Sequence, residues 1–315
     1  MKTTLGCDAI IFDIDNVLID TRTSYLDTIR WTVELFLTEG RVPIVPRPPK
    51  IRTPYFLHAG DVEAFKLLGG FNDDWDCCYG ILTYLISIKQ GVRSAEELRK
   101  KMDLTALAQA VKERPLGVSG LVKHLGRSTL VTVERIRRIF QEVYLGPQLL
   151  MACEKRKPQS WKKRGLIFRE KLIFRKPLLE QLKGMGLKLG IATGRSRFEA
   201  IYALKRFGIR ELFEAITTMD EVKKAEREQG RSLRKPNPFS VIQTAKQLCA
   251  KGNCLYIGDL PDDVLAANRA KKEISIRSVG FPAMAHDTAI AKAAMQTTGA
   301  DILIEKPREI LHHLK

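Results

Sequence analysis

The sequence has no long hydrophobic run. No segment approaches the roughly 18 consecutive apolar residues that a membrane-spanning helix needs, and the opening MKTTLGCD has no apolar stretch of the signal-peptide kind. The six cysteines include no Cys-x-x-Cys pair and are too sparse for a disulfide framework, which argues against a zinc site or a stapled secreted domain. We therefore expect a cytoplasmic chain that has no membrane partner and whose thiols are buried and free.

The composition has an excess of positively charged residues. The 315 residues include 53 Lys or Arg against 36 Asp or Glu, a formal charge of +17. Such a field attracts nucleic acid, an acidic membrane surface or small anions such as phosphate esters, and charge alone does not choose among them. The length suggests about two domains of about 150 residues each.

The hydrophobic pattern divides the chain into two kinds of structure. Helical spacing is predicted at 22–39, 61–68, 74–90, 94–112 and 131–144. Short apolar strands are predicted at 8–14, 187–192, 214–218, 253–257, 273–278 and 301–304, the later ones alternating with helices. This alternation predicts an α/β fold with a doubly wound parallel sheet, made from residues 1–21 and 172–315. A mainly helical domain of residues 22–171 interrupts it after the first strand.

Polar residues follow the ends of the predicted strands, where open α/β sheets bind ligands. Asp13 and Asp15 are the most informative, because burying an unpaired carboxylate is expensive and two of them follow one apolar strand. The other strand-end and helix-start candidates are Thr193, Gly194, Arg195, Lys235, Asp259, Asp262 and Asp263. Each alone is as well explained by a turn or a helix cap. Their order along successive strands of one sheet makes coincidence a poor explanation.

As an ordered set, Asp13-x-Asp15, Thr193, Lys235 and Asp259 with Asp263 resemble the four motifs of the haloacid dehalogenase superfamily. The insertion resembles the helical cap of its phosphoglycolate phosphatase-like members. Within the chain, segments 65–82 and 165–174 are similar to a phosphatase-like subgroup found in archaea, cyanobacteria and some eukaryotes. The resemblance implies a Rossmann-like core, an inserted cap and phosphate chemistry.

The resemblance also implies roles for the motif residues. Asp13 would attack phosphorus to form an aspartyl-phosphate, and Asp15 would protonate the leaving alkoxide and then activate water. Oxygen ligands from Asp13, Asp259 and the Asp15 main-chain carbonyl suit Mg²⁺. Asp263 would hold the metal's waters or orient Lys235, and Asp262 remains its competitor for that role. Thr193, the Gly194 amide and Lys235 would bind the phosphate.

Two positions depart from the superfamily pattern. Asn16 replaces the usual Gly three residues after the nucleophile, and Asn tolerates left-handed backbone angles better than most residues. Leu260 stands where a small hydroxyl residue is common after the metal-binding Asp.

Three further features have competing interpretations. Asn72 and Trp75 are candidates for contact with the substrate's leaving group, although an N-cap followed by a core Trp is the interpretation we favour. Arg195 is a candidate for binding phosphate or substrate, with a solvated arginine at a helix start as the alternative. The run 154–176 has ten Lys or Arg and interleaved aromatics, as single-strand nucleic-acid sites do; we expect its aromatics to be packed instead.

The sequence therefore predicts a Mg²⁺-dependent phosphomonoester hydrolase whose partner is a small-molecule phosphate ester. A phosphomutase of the same superfamily, and a catalytically silent nucleic-acid-binding protein on the same fold, are the alternatives. Phosphoglycolate, a sugar phosphate and histidinol phosphate all remain open as substrates, and the oligomeric state is undetermined.

Overall fold

The structure, a computed structural model, describes residues 6–39, 44–46, 53–66, 68, 70–71, 73–104, 106–107, 117–248, 253–285 and 287–314. The chain divides into two compact units. The first, here called the core unit, comprises the chain up to Asp20 and from Lys171 onward. The second, called the helical unit, runs from Thr21 to Glu170.

A parallel sheet of six strands organises the core unit. Its strands are β1 (Ala9–Phe12), β4 (Lys188–Ala192), β5 (Ala215–Thr217), β6 (Cys254–Gly258), β7 (Ile276–Gly280) and β8 (Ile302–Leu303). Their order across the sheet is β5-β4-β1-β6-β7-β8, and every pairing is parallel. All six lie within or beside the predicted strand segments, so the predicted parallel α/β sheet is confirmed. β1 lies between β4 and β6, so its carboxyl end is flanked by the ends of both neighbours.

Both faces of this sheet are covered. Alternate residues of β1 point to opposite sides, because Ile10 and Phe12 belong to one hydrophobic cluster and Ala9 and Ile11 to another. The helices of this unit are α7 (Lys176–Gly184), α8 (Arg197–Arg206), α9 (Met219–Gln229), α10 (Phe239–Gln247), α11 (Pro261–Ala270) and α12 (Thr288–Thr297). Leucines and alanines of α7 and α8 join the first cluster, while apolar residues of α10 and α11 join the second. The doubly wound arrangement explains why the strands read as continuous apolar runs.

A small ribbon lies outside the main sheet. Strands β2 (Ile19–Asp20) and β3 (Lys171–Leu172) pair antiparallel, with Ile19 opposite Leu172. The sequence did not predict it, because two residues per strand are too few to show a period of two.

The helical unit is built, in its described residues, from α1 (Tyr25–Thr38), α2 (Ala59–Lys66), α3 (Asp74–Ser87), α4 (Ala95–Lys101), α5 (Gly117–Leu125) and α6 (Val133–Glu154). Helix α1 packs along α6, with the rings of Tyr25 and Tyr144 stacked at 4.6 Å. The single helix predicted at 94–112 is interrupted after Lys101; residues 104, 106 and 107 are helical again, and residues 105 and 108–112 lie outside the described residues. Met102 adopts an extended conformation there, and the Tyr84 hydroxyl bonds to the backbone N–H and C=O of Asp103. No described helix is long and apolar enough to cross a bilayer.

The basic run 154–176 is tied down by a buried carboxylate. Glu142 accepts hydrogen bonds from the backbone N–H groups of residues 159–161 and pairs with Arg138 and Arg156. Trp161 and Phe174 are 5% and 0% exposed. The expectation that the aromatics of this run are packed is therefore confirmed for these two rings. Phe168, the third, is half-buried, and the guanidinium of Arg164 lies 3.9 Å from its ring centroid.

Candidate active site

Asp13 stands directly after β1, the strand at the middle of the site. Its backbone N–H donates to the Ile257 carbonyl at 2.9 Å, which continues the pairing of β1 with β6 past the last strand residue. Its Oδ1 accepts a hydrogen bond from the Ile14 N–H at 2.8 Å. The side chain is buried at the carboxyl edge of the sheet. Backbone and side chain are thus both fixed.

Three carboxylates converge at this edge. Asp13, Asp259 and Asp263 each offer an oxygen within 4.8 Å of the others. Burial, and then the charges of Asp263 and Asp15, raise the pKa of Asp13 from 3.8 to about 7. Burial and the charges of Asp263 and Asp13 likewise raise the pKa of Asp259 well above its ordinary value. Burial therefore disfavours the ionised form of both carboxyl groups, and the neighbouring negative charges add to that effect.

Lys235 lies inside the carboxylate cluster. Its Nζ is 3.2 Å from Asp13 Oδ2 and 2.8 Å from Asp263 Oδ1. Burial acts to lower the pKa of Lys235, but the two carboxylates outweigh it and raise the pKa above its ordinary value. The lysine is therefore a permanent cation at neutral pH, held beside Asp13. It precedes Pro236, and the peptide bond between them is cis.

Asp263, rather than Asp262, belongs to the cluster. Its Oδ1 also accepts a hydrogen bond from the Tyr256 hydroxyl at 2.8 Å, and its Oδ2 accepts one from the Leu260 N–H at 3.1 Å. Asp263 is the third residue of α11, where a carboxylate can turn back to cap the helix start. A Cβ on Gly258 would overlap its carboxyl group, so the carboxylate can occupy this place only because residue 258 has no side chain.

Tyr256 is a site residue that the sequence analysis missed. It is buried in β6, and burial together with the nearby Asp263 charge raises its pKa well above the ordinary value. It therefore stays protonated and donates to Asp263. The signal was present in the sequence, because a tyrosine in the middle of a buried strand needs a partner for its hydroxyl.

Asn16 fulfils the expectation that it replaces a glycine. Its φ angle is 53°, in the left-handed region, and its backbone N–H donates to the Ile19 carbonyl at 2.7 Å. Its side-chain Nδ2 also donates to Asp259 Oδ2 at 3.2 Å. A glycine would allow the same turn but could not make this second contact.

Thr193 and Gly194 follow β4, beside the end of β1. Thr193 is buried and its Oγ1 accepts a hydrogen bond from the Arg195 N–H at 3.2 Å, while Gly194 is exposed. The prediction that a helix starts at these residues is wrong by about one turn. Helix α8 begins at Arg197, because Ser196 caps it in a reciprocal hydrogen-bonded box with Glu199.

Arg195 is not a solvated arginine at a helix start. Its side chain is 0% exposed, and its Nε and Nη2 donate to Asp15 Oδ1 at 2.9 and 2.7 Å. The structure therefore pairs two of the sequence candidates that are 180 residues apart.

The two predicted cap contacts have different outcomes. Asn72 lies outside the described residues. Trp75 is half-buried in the helical unit, where the guanidinium of Arg137 lies 4.7 Å from its ring centroid. Asp73 caps α3 by accepting from the Trp75 and Asp76 N–H groups, as the N-cap interpretation expected. Trp75 is half-buried, where the favoured interpretation expected a core residue.

The donor set fits a hard divalent cation. Asp13, Asp15, Asp259 and Asp263 carry four carboxylates, and among the described residues Lys235 and Arg195 are the cations paired with them. With all four ionised, two negative charges would have no paired cation; burial and these neighbouring charges raise the pKa of Asp13 and of Asp259, so protons or a bound cation would neutralise the excess. Carboxylate oxygens without histidine or cysteine are the ligands that Mg²⁺ prefers.

Comparison with known proteins places this geometry in context. A family model for haloacid dehalogenase-like hydrolases matches residues 7–271. A glyceraldehyde 3-phosphate phosphatase of Methanopyrus kandleri is 30% identical over 138 residues, which cover 43% of this chain and 52% of that protein. The chain spans about half the length of the curated relatives it matches.

Solved structures share the fold. Phosphatase Tt82 from Thermococcus thioreducens aligns with a TM-score of 0.58 and 24% identity, covering 91% of this chain and 98% of its own. An X-ray structure from the Northeast Structural Genomics Consortium aligns with a TM-score of 0.67 and 22% identity, covering 97% of each chain. At these identities the likeness supports the architecture and not a particular substrate.

Proposed function

Because this chain belongs to the haloacid dehalogenase-like hydrolases, we propose that it is a magnesium-dependent phosphatase that hydrolyses small phosphate monoesters through an aspartyl-phosphate. One observation carries the proposal. Asp13, Lys235, and the pair Asp259 and Asp263 come from three separate segments and converge at the carboxyl edge of the sheet. The names of the relatives, which are phosphatases, agree with it.

Asp13 is the proposed nucleophile. Its Oδ1 is held by the Ile14 N–H and its Oδ2 lies 3.2 Å from Lys235 Nζ, so the carboxylate is fixed in orientation before substrate arrives. A carboxylate oxygen forms a bond to phosphorus while the bond from phosphorus to the ester oxygen breaks. Water then attacks phosphorus, releases inorganic phosphate and restores the Asp13 carboxylate.

Asp15 is the proposed proton carrier. It gives a proton to the departing alkoxide in the first step and takes one from the attacking water in the second, so its protonation state is restored after each turnover. The second carboxylate of the Asp13-x-Asp15 pair is what favours phosphate ester hydrolysis over dehalogenation, which needs no such proton donor.

Positive charge around the transferred group completes the site. Lys235 would neutralise phosphoryl oxygens, and the Thr193 hydroxyl and Gly194 amide would donate hydrogen bonds to them. Asp13, Asp259 and the Asp15 main-chain carbonyl would hold Mg²⁺, which supplies the charge that lets a phosphate dianion approach these carboxylates. The contacts of Asp263 with Lys235 and Tyr256 suit a role in orienting the lysine.

The test is hydrolysis of 4-nitrophenyl phosphate with Mg²⁺ and with EDTA. We expect magnesium-dependent release of phosphate. In Asp13→Asn the rate of release should fall by at least about 1,000-fold. Asp263→Asn and Asp262→Asn form a matched pair of adjacent carboxylates, of which we expect only the first to lower activity strongly. Activity that survives Asp13→Asn would remove the proposed nucleophile. A panel of phosphorylated metabolites then identifies the substrate, and return of the phosphoryl group to a sugar instead of water would reveal a phosphomutase.

A further inference from the structure

Arg195 is a buried cation whose partner is a proposed catalytic carboxylate. Its side chain is fully buried, whereas the Asp15 side chain is 28% exposed. Burying a guanidinium is costly unless its charge and hydrogen-bond donors are satisfied. The arginine is therefore placed where it can hold Asp15 from the protein side while the other side of that carboxylate reaches solvent.

The contact between Arg195 and Asp15 is made at one carboxylate oxygen. Nε at 2.9 Å and Nη2 at 2.7 Å both donate to the same oxygen, Oδ1 of Asp15. A fork spread over both carboxylate oxygens would occupy one acceptor site on each of them. In the contacts described between these two residues, both donors meet on Oδ1. Two donors on one oxygen also restrict rotation of the carboxylate, and arginine keeps its own protons throughout.

The segment that carries Arg195 is itself anchored. The Arg195 N–H donates to Thr193 Oγ1 at 3.2 Å, and its carbonyl accepts from the Met219 N–H at 2.9 Å, at the start of α9. Thr193 is a proposed phosphate ligand. The same short segment thus fixes a phosphate-binding hydroxyl and the arginine that holds Asp15.

We propose that Arg195 is a positioning residue for Asp15. It holds Oδ1 so that Oδ2 is presented to the leaving-group oxygen, and it does not bind the substrate's phosphate. This inference rests on the proposed phosphatase function. It predicts that replacing Arg195 lowers the rate more for esters whose leaving group needs a proton than for esters whose leaving group does not.

A leaving-group series tests the proposal. 4-Nitrophenolate departs readily without a proton, whereas phenolate and alkoxides need one. In Arg195→Gln we expect kcat/KM to fall less than about 10-fold with 4-nitrophenyl phosphate and by about 100-fold or more with phenyl phosphate, within the range that general acids supply. Asp15→Asn should show the same split, and adding Arg195→Gln to it should change little more. Arg197→Gln, an exposed arginine paired with Glu221, is the matched control.

The outcomes separate the alternatives. Equal losses on both esters, losses that multiply in the double variant, or a rise in KM and in the inhibition constant of inorganic phosphate with kcat unchanged would each overturn the positioning role. Arg195→Lys keeps the charge without the two-donor fork, and it replaces Arg195→Gln in the test if that variant does not fold. We expect its kcat/KM to fall more with phenyl phosphate than with 4-nitrophenyl phosphate. Wild-type rates on both esters would contradict the proposal. A wild-type protein with no magnesium-dependent turnover would instead refute the proposed function, and the inference with it.

Discussion

Replacing Asp13 by Asn should change how the stability of the metal-free protein depends on pH. Because the pKa of Asp13 is raised from 3.8 to about 7, the folded protein binds a proton at pH 5 that the unfolded chain has mostly lost. The free energy of unfolding therefore falls as pH rises through this interval and levels off above about pH 7. At about 1.4 kcal/mol per pH unit, the loss from pH 5 to pH 7 is about 2–3 kcal/mol. Asp13→Asn cannot ionise and should lose this contribution.

Urea unfolding in EDTA, followed by circular dichroism between pH 5 and pH 8, measures the effect. The difference between wild type and Asp13→Asn reports the titration of Asp13 together with the change that its loss causes at Asp259, whose pKa the Asp13 charge raises. Asp262→Asn is the control, because it lies beside the cluster and not in it, and it should keep the wild-type slope. Mg²⁺ should stabilise the wild type more at pH 8 than at pH 5.5, since the ion competes with protons for the same carboxylate.

An Asp13→Asn protein with the same pH slope as the wild type would refute the raised pKa of Asp13. So would a stabilisation by Mg²⁺ that does not change with pH.

Three further substitutions have definite expected outcomes. Lys235→Met should lower kcat/KM by about 100-fold or more, because it removes the cation beside Asp13; steady-state kinetics check this, and a loss below 10-fold would count against it. Tyr256→Phe should cost about 1 kcal/mol of stability with the fold intact, since Asp263 loses one donor; urea titration measures it, and an unchanged midpoint would contradict it. Asn16→Gly keeps the left-handed turn but loses the bond to Asp259, so titration calorimetry should find weaker Mg²⁺ binding. Wild-type affinity would deny Asn16 a role at Asp259.

The strand order explains why so much of the site could be predicted. Asp13, Thr193 and Asp259 each follow a strand, and parallel neighbours bring those ends to one edge. The apolar runs in the sequence locate the strand ends closely enough to predict that these residues lie at the same edge. The sequence could not tell Asp263 from Asp262, because the spacing from Asp259 does not say which side chain points toward the cluster. The helix α11 begins at Pro261, so Asp263 is its third residue and its carboxylate turns back to the Leu260 N–H.

Contacts across long sequence separations could not be predicted in the same way. Arg195 and Asp15 are 180 residues apart, and Asn16 and Asp259 are 243 apart. Each pair is set by side-chain direction within the packed unit, which no period or motif records. The same limit applies to Tyr256, whose hydroxyl partner depends on which face of β6 it occupies.

The most direct test of the account is to locate the phosphoryl group on the enzyme. In Asp15→Asn, 4-nitrophenyl phosphate should still phosphorylate the protein while hydrolysis of the intermediate slows, so that phosphoenzyme accumulates. After acid quenching and peptide mass spectrometry, the account predicts one phosphoryl group on Asp13, absent without Mg²⁺ and absent in Asp13→Asn. A phosphoryl group on another residue, or release of phosphate by a wild-type enzyme whose Asp13 is never modified, would contradict it.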